Sequence, residues 1–546
     1  MTTITIRRVL SLLLLSTTLF GVCAADEGEL LTRAERSGFT ETSRYGEILE
    51  MLHLLEEQSP HVRVEIFGTS AEGRPLPLVV LGAPPPDCPE EVDRGRSTVL
   101  FIQANIHAGE VDGKEAALML IRDLVGLRRD SDADHDHEAG EVLDNTVLLI
   151  APDFNADGNE KISTENRRWQ NGPFGGVGLR ANAQNLDLNR DYIKLETPEV
   201  QAHMEQIVLR WDPHVLVDCH TTNGSLHTEP ITYSFGHNPL GDLEIQEFDR
   251  KVLLPWVAGE TERREGYTAI PYGNWVNRRD PLEGWRTFGH EPRYATNYWG
   301  LRNRHAVLIE IYAYADFETR VRSCRAFLRS IVEFVHRRGN EVRSLVDAAD
   351  HKGEIGARGP VTFRFERVAT EEPVEIESYG PEVRKPPHLT PGIDAEALKT
   401  VTYRVPFYAL FEPAGPGRNL PERGYLVPRG HVRLVEQLRR HGIRLAEIVE
   451  EGTAEVEIFE ITEIVAAERL FQGHRTHRLQ GSWARRERSI PAGGILVPTK
   501  QPQIMLAAYL LEPQSDDGMA FWNVMDSYLT KGTFDASPAP YPVWRW

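Results

Sequence analysis

Basic residues are in deficit: 61 Lys and Arg stand against 81 Asp and Glu in 546 residues, a formal charge of -20 with histidine neutral. A nucleic-acid partner needs a basic face for its phosphates, so the charge balance argues against one. It does not identify a cationic substrate, because negative surface also serves solubility. Cysteine is scarce as well. Of the four, Cys23 lies in or beside an N-terminal leader, which leaves Cys88, Cys219 and Cys324. Three cysteines make no disulfide framework; one bridge in an oxidising compartment and small buried thiols are both open readings. After the first 25 residues no apolar run reaches the roughly 20 residues of a membrane span. There is no internal repeat of fixed period, no heptad array, and no Gly-x-Ser-x-Gly elbow of the kind serine hydrolases carry.

What is present is ordinary globular composition, 41% hydrophobic and 26% charged, which excludes a disordered, collagen-like or fibrous chain. At about 150 residues per unit, the length admits two to four domains. Arg7 and Arg8, the apolar run from Val9 to Phe20 and the small residues Val22-Cys23-Ala24-Ala25 read as a cleaved secretory signal over residues 1–25. The expected location is therefore periplasmic or extracellular. The apolar run is short for a retained anchor, and Phe20-Gly21-Val22 is a poor lead-in for a lipid-modified Cys23. Residues 26 to about 40 form a short lead-in, so the mature protein is expected to be active without further proteolysis.

From about residue 40 to 345, short apolar runs alternate with helical patterns, the signature of an α/β unit with a mixed sheet covered by helices. The expected strands are Thr98 to Ile102, Thr146 to Ile150, His214 to Val217 and Ala306 to Ile309. Gly113 to Val125 has Ala116, Ala117, Leu120, Ile121 and Leu124 on one helical face. Arg128 to Glu141 is too charged for a core and reads as a solvated loop, with His135 and His137 in it. Gly353, Gly356, Gly359 and Pro360 mark a boundary. Residues 355–546 then read as a smaller β-rich unit of unknown role, with strands at Val361 to Arg367, Val374 to Ser378 and Val401 to Val405. One amphipathic helix is expected there, from His431 to His441, together with a Pro-rich connector from Lys385 to Pro391.

Residues able to do chemistry follow the apolar strands, where open α/β sheets place their sites. Asn105-Ile106-His107-Ala108-Gly109-Glu110 comes after the first of these strands, Asp218-Cys219-His220 after another, and Glu310 after a third. His107, Glu110 and His220 make a two-histidine, one-carboxylate set. Such a set suits zinc, whose catalytic sites use three protein ligands and keep a fourth position open. A His-x-x-Glu spacing is common on its own. Its place between a strand and a helix, with a second histidine after another strand, gives it weight. Cys219 beside His220 raises a thiol nucleophile, but adjacent strand residues point to opposite faces.

The ordered series Gly68-Thr69-Ser70-Ala71-Glu72-Gly73-Arg74, His107-Ala108-Gly109-Glu110, Asn155-Ala156-Asp157-Gly158, Arg180-Ala181-Asn182, Asp187-Leu188-Asn189-Arg190, His220 and Glu310 resembles the zinc metallocarboxypeptidases of carboxypeptidase A type. The resemblance covers most of residues 60 to 315. It implies a carboxypeptidase-like fold, a mixed sheet of the eight-stranded type with helices on both faces. It implies one zinc ion per chain held by His107, Glu110 and His220, with Asp187 orienting the first histidine. Glu310 would be the general base, Arg180 would stabilise the developing oxyanion, and Asn189 with Arg190 would grip the substrate's terminal carboxylate. Arg167 and Arg168 could supply the same charge as Arg180.

The sequence departs from the family pattern at Gly109, where digestive members carry a basic residue, so the outer subsites are expected to differ. The family's mobile tyrosine falls on Tyr294 or Tyr298, and Tyr298 is the expectation here. His227 either lines the pocket or makes a surface contact. The segment Gly493 to Pro498, on through Leu510 to Pro513 and Trp522, is similar to tails on some large bacterial members. It either packs on the catalytic unit or shapes the substrate entrance. The expected activity is a secreted zinc carboxypeptidase acting on a peptide or small amide with a free carboxylate. Rival readings are a cell-wall hydrolase cutting γ-glutamyl or D-residue bonds, an amidase for acylated amino acids, and a non-catalytic peptide-binding protein.

Overall fold

A computed structural model describes residues 30–127, 140–222, 224–357, 359–380, 382–392, 398–427, 429–532 and 535–546. The leader, the loop with His135 and His137, and Asn223 lie outside these. The strands of the first part are β1 (Val62–Thr69), β2 (Pro75–Leu81), β3 (Thr98–Gln103), β4 (Thr146–Ala151), β5 (Val215–Thr221), β6 (Ile231–Phe235) and β7 (Ala269–Pro271). Two short strands, β8 (Asn274–Trp275) and β9 (Trp285–Arg286), precede β10 (His305–Ile311). Eight of them form one mixed sheet in the order β1-β2-β4-β3-β5-β10-β6-β7. Its centre, β4-β3-β5-β10, is parallel, and its flanks are mainly antiparallel.

The four strands expected in the first part are all present, each running one to four residues further toward the site, whereas the stretch from Val361 to Arg367 is a strand only from Phe365. His220 and Glu310, expected just beyond their strands, lie inside β5 and β10. Alternation along the strands sorts their side chains. Leu100, Ile102, Val215, Val217, Cys219, Val307, Ile309 and Ile311 face one core, covered by the helices Tyr45–Gln58, Asp112–Leu124, Leu254–Glu265 and Phe317–Ile355. Val99, Phe101, Leu216 and Ala306 face the other, under the helices Pro198–His203 and Ala295–Leu301. Each fully buried Leu, Ile or Phe contributes on the order of 1.5–3 kcal/mol relative to exposure. The helix Asp112–Leu124 lies so close to β5 that a Cβ on Gly113 would meet the Cβ of Cys219 at 2.5 Å.

The 39-residue helix Phe317–Ile355 is capped by the Asp316 side chain, which accepts from the Thr319 N–H, and ends at Gly356 in the left-handed conformation (φ 72°). The glycine-rich stretch thus marks a helix end, while Gly353 is still helical. Beyond it lie β11 (Phe365–Ala369), β12 (Val374–Tyr379), β13 (Thr400–Val405) and β14 (Phe407–Pro413), the helix Val432–Arg440, and a long hairpin of Gly452–Ala466 and His477–Ile490. This segment packs against the first part. Tyr425, Val427, Leu434, Leu438, Val497 and Leu506 share a core with Phe101, Leu216 and Trp299. A four-stranded sheet, β11-β14-β9-β8, is built from both parts. No helix among the described residues is long and apolar enough to cross a membrane.

Candidate active site

The loop after β3 carries His107 and Glu110, and β5 carries His220; one donor atom from each lies within 4.8 Å of the others, and all three side chains are buried. His107 and His220 turn their Nδ1 atoms toward each other at 3.1 Å. The Glu110 oxygens lie 3.1 Å from the first and 2.8 Å from the second. Two ring nitrogens this close repel through their lone pairs unless a proton or a cation lies between them. Each outer nitrogen is held by a carboxylate: His107 Nε2 by Asp187 at 2.9 Å and His220 Nε2 by Asp218 at 2.8 Å. That arrangement orients metal-ligating imidazoles and fixes their tautomer. Two Nδ1 atoms and one carboxylate, backed in this way, fit zinc.

The charges follow the geometry. Burial alone would raise Glu110, but His107, Arg167 and bonds from both histidines hold it well below the usual carboxylate range. Asp187 is likewise held well below its usual range, against its burial, by His107, Arg190 and Arg180. Burial would lower His220, yet Asp218 and Glu110 hold it well above its ordinary value.

The sequence motifs brace one another around this centre. Ser70 Oγ donates to Asp157 at 2.6 Å, the Glu72 N–H donates to it at 2.8 Å, and Arg74 Nη1 pairs with it at 2.6 Å. Asn155 Nδ2 donates to the carbonyls of Ile106 and Arg180, which ties the His107 loop to the Arg180 segment. Asn105, in the left-handed conformation (φ 61°), donates through Nδ2 to Asp153 at 2.7 Å and turns the chain toward His107. From the C-terminal hairpin, Gln472 Oε1 accepts from the Asp187 N–H at 2.8 Å.

Glu310 pairs in register with His220 across β10 and β5, so both project onto the floor of one open cleft of about 960 Å³. Burial, with Glu110 and Asp218 adding to it against His220 and Arg180, pushes the Glu310 carboxyl up to about 8. Arg180 bridges Asp187 at 2.9 Å and Glu110 at 3.2 Å, and its side chain is 41% exposed, so it reaches the cleft. Arg167 also pairs with Glu110, at 2.5 Å, while Arg168 is a surface residue paired with Glu165. Arg190 lies over the Tyr294 ring at 4.4 Å and gives Nη1 to the Asn189 carbonyl at 2.6 Å. The Asn189 carboxamide accepts from the Ala295 N–H at 2.8 Å, and its Nδ2 lies 3.1 Å from His220 Nε2.

The family model of zinc carboxypeptidases matches residues 48–215, which include His107, Glu110, Arg180, Asn189 and Arg190. The chain is 22% identical over 472 residues to Carboxypeptidase 2 of Trichophyton rubrum, covering 84% of this chain and 79% of that protein. Over 126 residues it is 32% identical to mouse Carboxypeptidase M, 23% of this chain and 25% of that one. A solved metallo-carboxypeptidase from Burkholderia cenocepacia superposes with a TM-score of 0.40 at 19% identity, covering 54% of this chain and 69% of that one. Residues 48–215 thus carry a zinc carboxypeptidase domain. The protein is a metallocarboxypeptidase hydrolase whose metal is zinc, and His107, Glu110 and His220 form the group able to hold it.

Tyr298 corrects the expectation for this carboxypeptidase. It is fully buried within the helix Ala295–Leu301, its hydroxyl lies 2.8 Å from His441 Nδ1, and it does not line the cleft. Tyr294, the residue that caps this helix in an extended conformation, lines the cleft instead. His227 is neither a pocket residue nor a surface one: it is buried, with its ring 3.9 Å from that of Tyr312. At Gly109, a Cβ would meet Arg167 Nε at 2.6 Å. The bare backbone there lets Arg167 lie over it, so a basic charge reaches Glu110 from elsewhere in the chain. Sequence reasoning missed Trp169, Tyr272, Arg286 and Arg367 in the cleft, and no motif signals them.

Proposed function

We propose that this carboxypeptidase is a secreted exopeptidase that removes the C-terminal residue of a peptide, with Glu310 as general base. The observation that carries this is the pairing of Glu310 with His220 on the cleft floor, with Arg190 in the same cleft. The naming of the Trichophyton relative as a carboxypeptidase agrees with it. Zinc, which His107, Glu110 and His220 would hold, would supply a Lewis acid at the cleft floor. Glu310, made basic by burial, takes a proton from the attacking water and passes it to the leaving nitrogen as the carbonyl carbon exchanges its C–N bond for a C–O bond. Arg180 faces the carbonyl oxygen, where a preorganised cation stabilises the developing charge. Arg190 has Nε and Nη2 without hydrogen-bond partners among the described residues, an edge that matches a carboxylate. Asn189 positions Arg190 and His220, and Tyr294 forms the wall beneath the guanidinium. Secretion rests on Arg7, Arg8 and the apolar run that follows them.

The test measures zinc content and peptide hydrolysis on one sample of wild type and Glu310→Gln, with products followed by mass. A general base contributes about 10²–10⁴-fold, so Glu310→Gln is expected to lose that much activity while keeping its zinc. Zinc without loss of single C-terminal residues would overturn the exopeptidase reading and favour cell-wall or acylated amino-acid substrates. An intact Met1 on protein recovered from the periplasm or medium would overturn the cleaved leader.

A further inference from the structure

Six arginines line this cleft in a protein of net charge -20: Arg167, Arg180, Arg190, Arg278, Arg286 and Arg367. The first three are paired with Glu110 or Asp187. Arg286 and Arg367 have no ion pair among the described residues. Arg367 is half-buried, its guanidinium packs on the Phe411 ring at 5.1 Å, and Nη2 donates to the Phe288 carbonyl at 2.9 Å. Its Nε is buried without a partner. Arg286, two strands away across β14, lines the same cleft, and burial together with its charge lowers the Arg367 pKa against Glu291 and Tyr294. Glu291, a carboxylate whose charge acts on Arg367, lies 3.5 Å from Arg293. A half-buried cation whose neighbouring carboxylate is already paired with another arginine gains when an anion arrives to meet it.

The place of this pair follows from the wall in front of it. Phe288, whose carbonyl holds Arg367, has its ring 5.5 Å from Tyr294 and 6.2 Å from Tyr272. Tyr294 carries Arg190 on its face, and Tyr272 feels the charge of Glu310. A substrate with its scissile bond at Glu310 and its terminal carboxylate at Arg190 therefore turns its last side chain toward Arg286 and Arg367. Resting on the exopeptidase reading above, we propose that these two arginines receive a second carboxylate, so that the enzyme prefers peptides ending in glutamate or aspartate. Arg286 comes from β9 and Arg367 from β11, joined through β14, so the C-terminal segment supplies part of the pocket.

The test compares kcat/KM on matched peptides ending in Glu, Gln, Leu and Lys. A charge-assisted bond contributes about 1.5–3 kcal/mol against a neutral contact, so Glu is expected to exceed Gln by at least about ten-fold. Arg367→Gln and Arg286→Gln should each move the Glu:Gln ratio toward parity, and Arg367→Lys should restore part of it. Because Arg286 is exposed, Arg286→Gln reads the ratio even if Arg367→Gln does not fold. Trimming that favours Gln, Leu or Lys, or a ratio unmoved by both variants, would overturn the acidic pocket and leave the exopeptidase standing. Calorimetric binding of the same peptides to zinc-loaded Glu310→Gln reads the pocket without turnover. Tighter binding of the Glu peptide with no trimming by wild type would sink hydrolysis alone, and equal binding of Glu and Gln peptides would sink the pocket.

Discussion

Replacing Asp187 by asparagine tests the structure's account of how the metal centre is held. The carboxylate meets His107 Nε2 at 2.9 Å, Arg180 Nε at 3.0 Å and the Asn189 N–H at 3.0 Å. Asparagine keeps the shape and one acceptor oxygen, but it removes the charge and sets an NH₂ against either the imidazole or the guanidinium, both of them donors. A unit charge pair at about 4 Å near a surface attracts by about 4 kcal/mol, of which rearrangement and water recover a part. Loss of such an outer carboxylate weakens metal binding by about 10–100-fold, or about 1.4–2.7 kcal/mol. Zinc affinity is measured by competition with a chromophoric chelator, and kcat/KM is measured at saturating zinc. The dissociation constant should rise by that factor, and kcat/KM should stay low even with the site full, because Arg180 loses its anchor. A zinc affinity within about two-fold of wild type would refute the claim that Asp187 orients His107.

Two further perturbations address the scaffold. His203 is fully buried among Phe101, Phe154, Tyr192 and Trp299 with neither ring nitrogen bonded, and burial pushes its pKa down to about 3. A depressed pKa means the stability is intact above the unfolded value near 6.5 and drains as pH falls from there toward 3. Each pH unit in that window costs about 1.4 kcal/mol per histidine, so between pH 7 and pH 5 wild type should lose about 2 kcal/mol more than His203→Phe in denaturant unfolding. Equal losses would show that His203 is not buried neutral. Gly109→Ala places a Cβ 2.6 Å from Arg167 Nε and 3.0 Å from the Gly178 carbonyl, so Arg167 must leave Glu110. Loss of that charge-assisted bond should lower kcat/KM by about ten-fold, and adding Arg167→Gln should cost little more, because the two changes break one contact. Fully additive losses would contradict the proposed coupling.

The main elements were legible because their signals are local. Thr98–Gln103 and His305–Ile311 are apolar runs bounded by polar residues, and Asp112–Leu124 shows its 3.6-residue period directly. The opposite facing of Cys219 and His220 follows from the two-residue period of a strand. The choice between Tyr294 and Tyr298 was not local. Both stand near one short helix, and only the extended backbone at position 294 turns that ring to the cleft, while a helical residue four positions on faces the core. The role of Gly109 was likewise hidden, since it depends on a guanidinium from residue 167 lying over it.

By itself, the sequence determined the strand faces, because these depend on residue type and on spacing within a single element, and its ordered motifs pointed to the metal-ligand set through their resemblance to a known family. Only the tertiary structure decided that the C-terminal segment shares the core and that Gln472 reaches Asp187. It alone set Arg286 and Arg367 in one cleft, across 81 positions of chain. Such neighbours are made by strand pairing and by burial of apolar faces, forces that act between distant segments and leave no periodic mark in either.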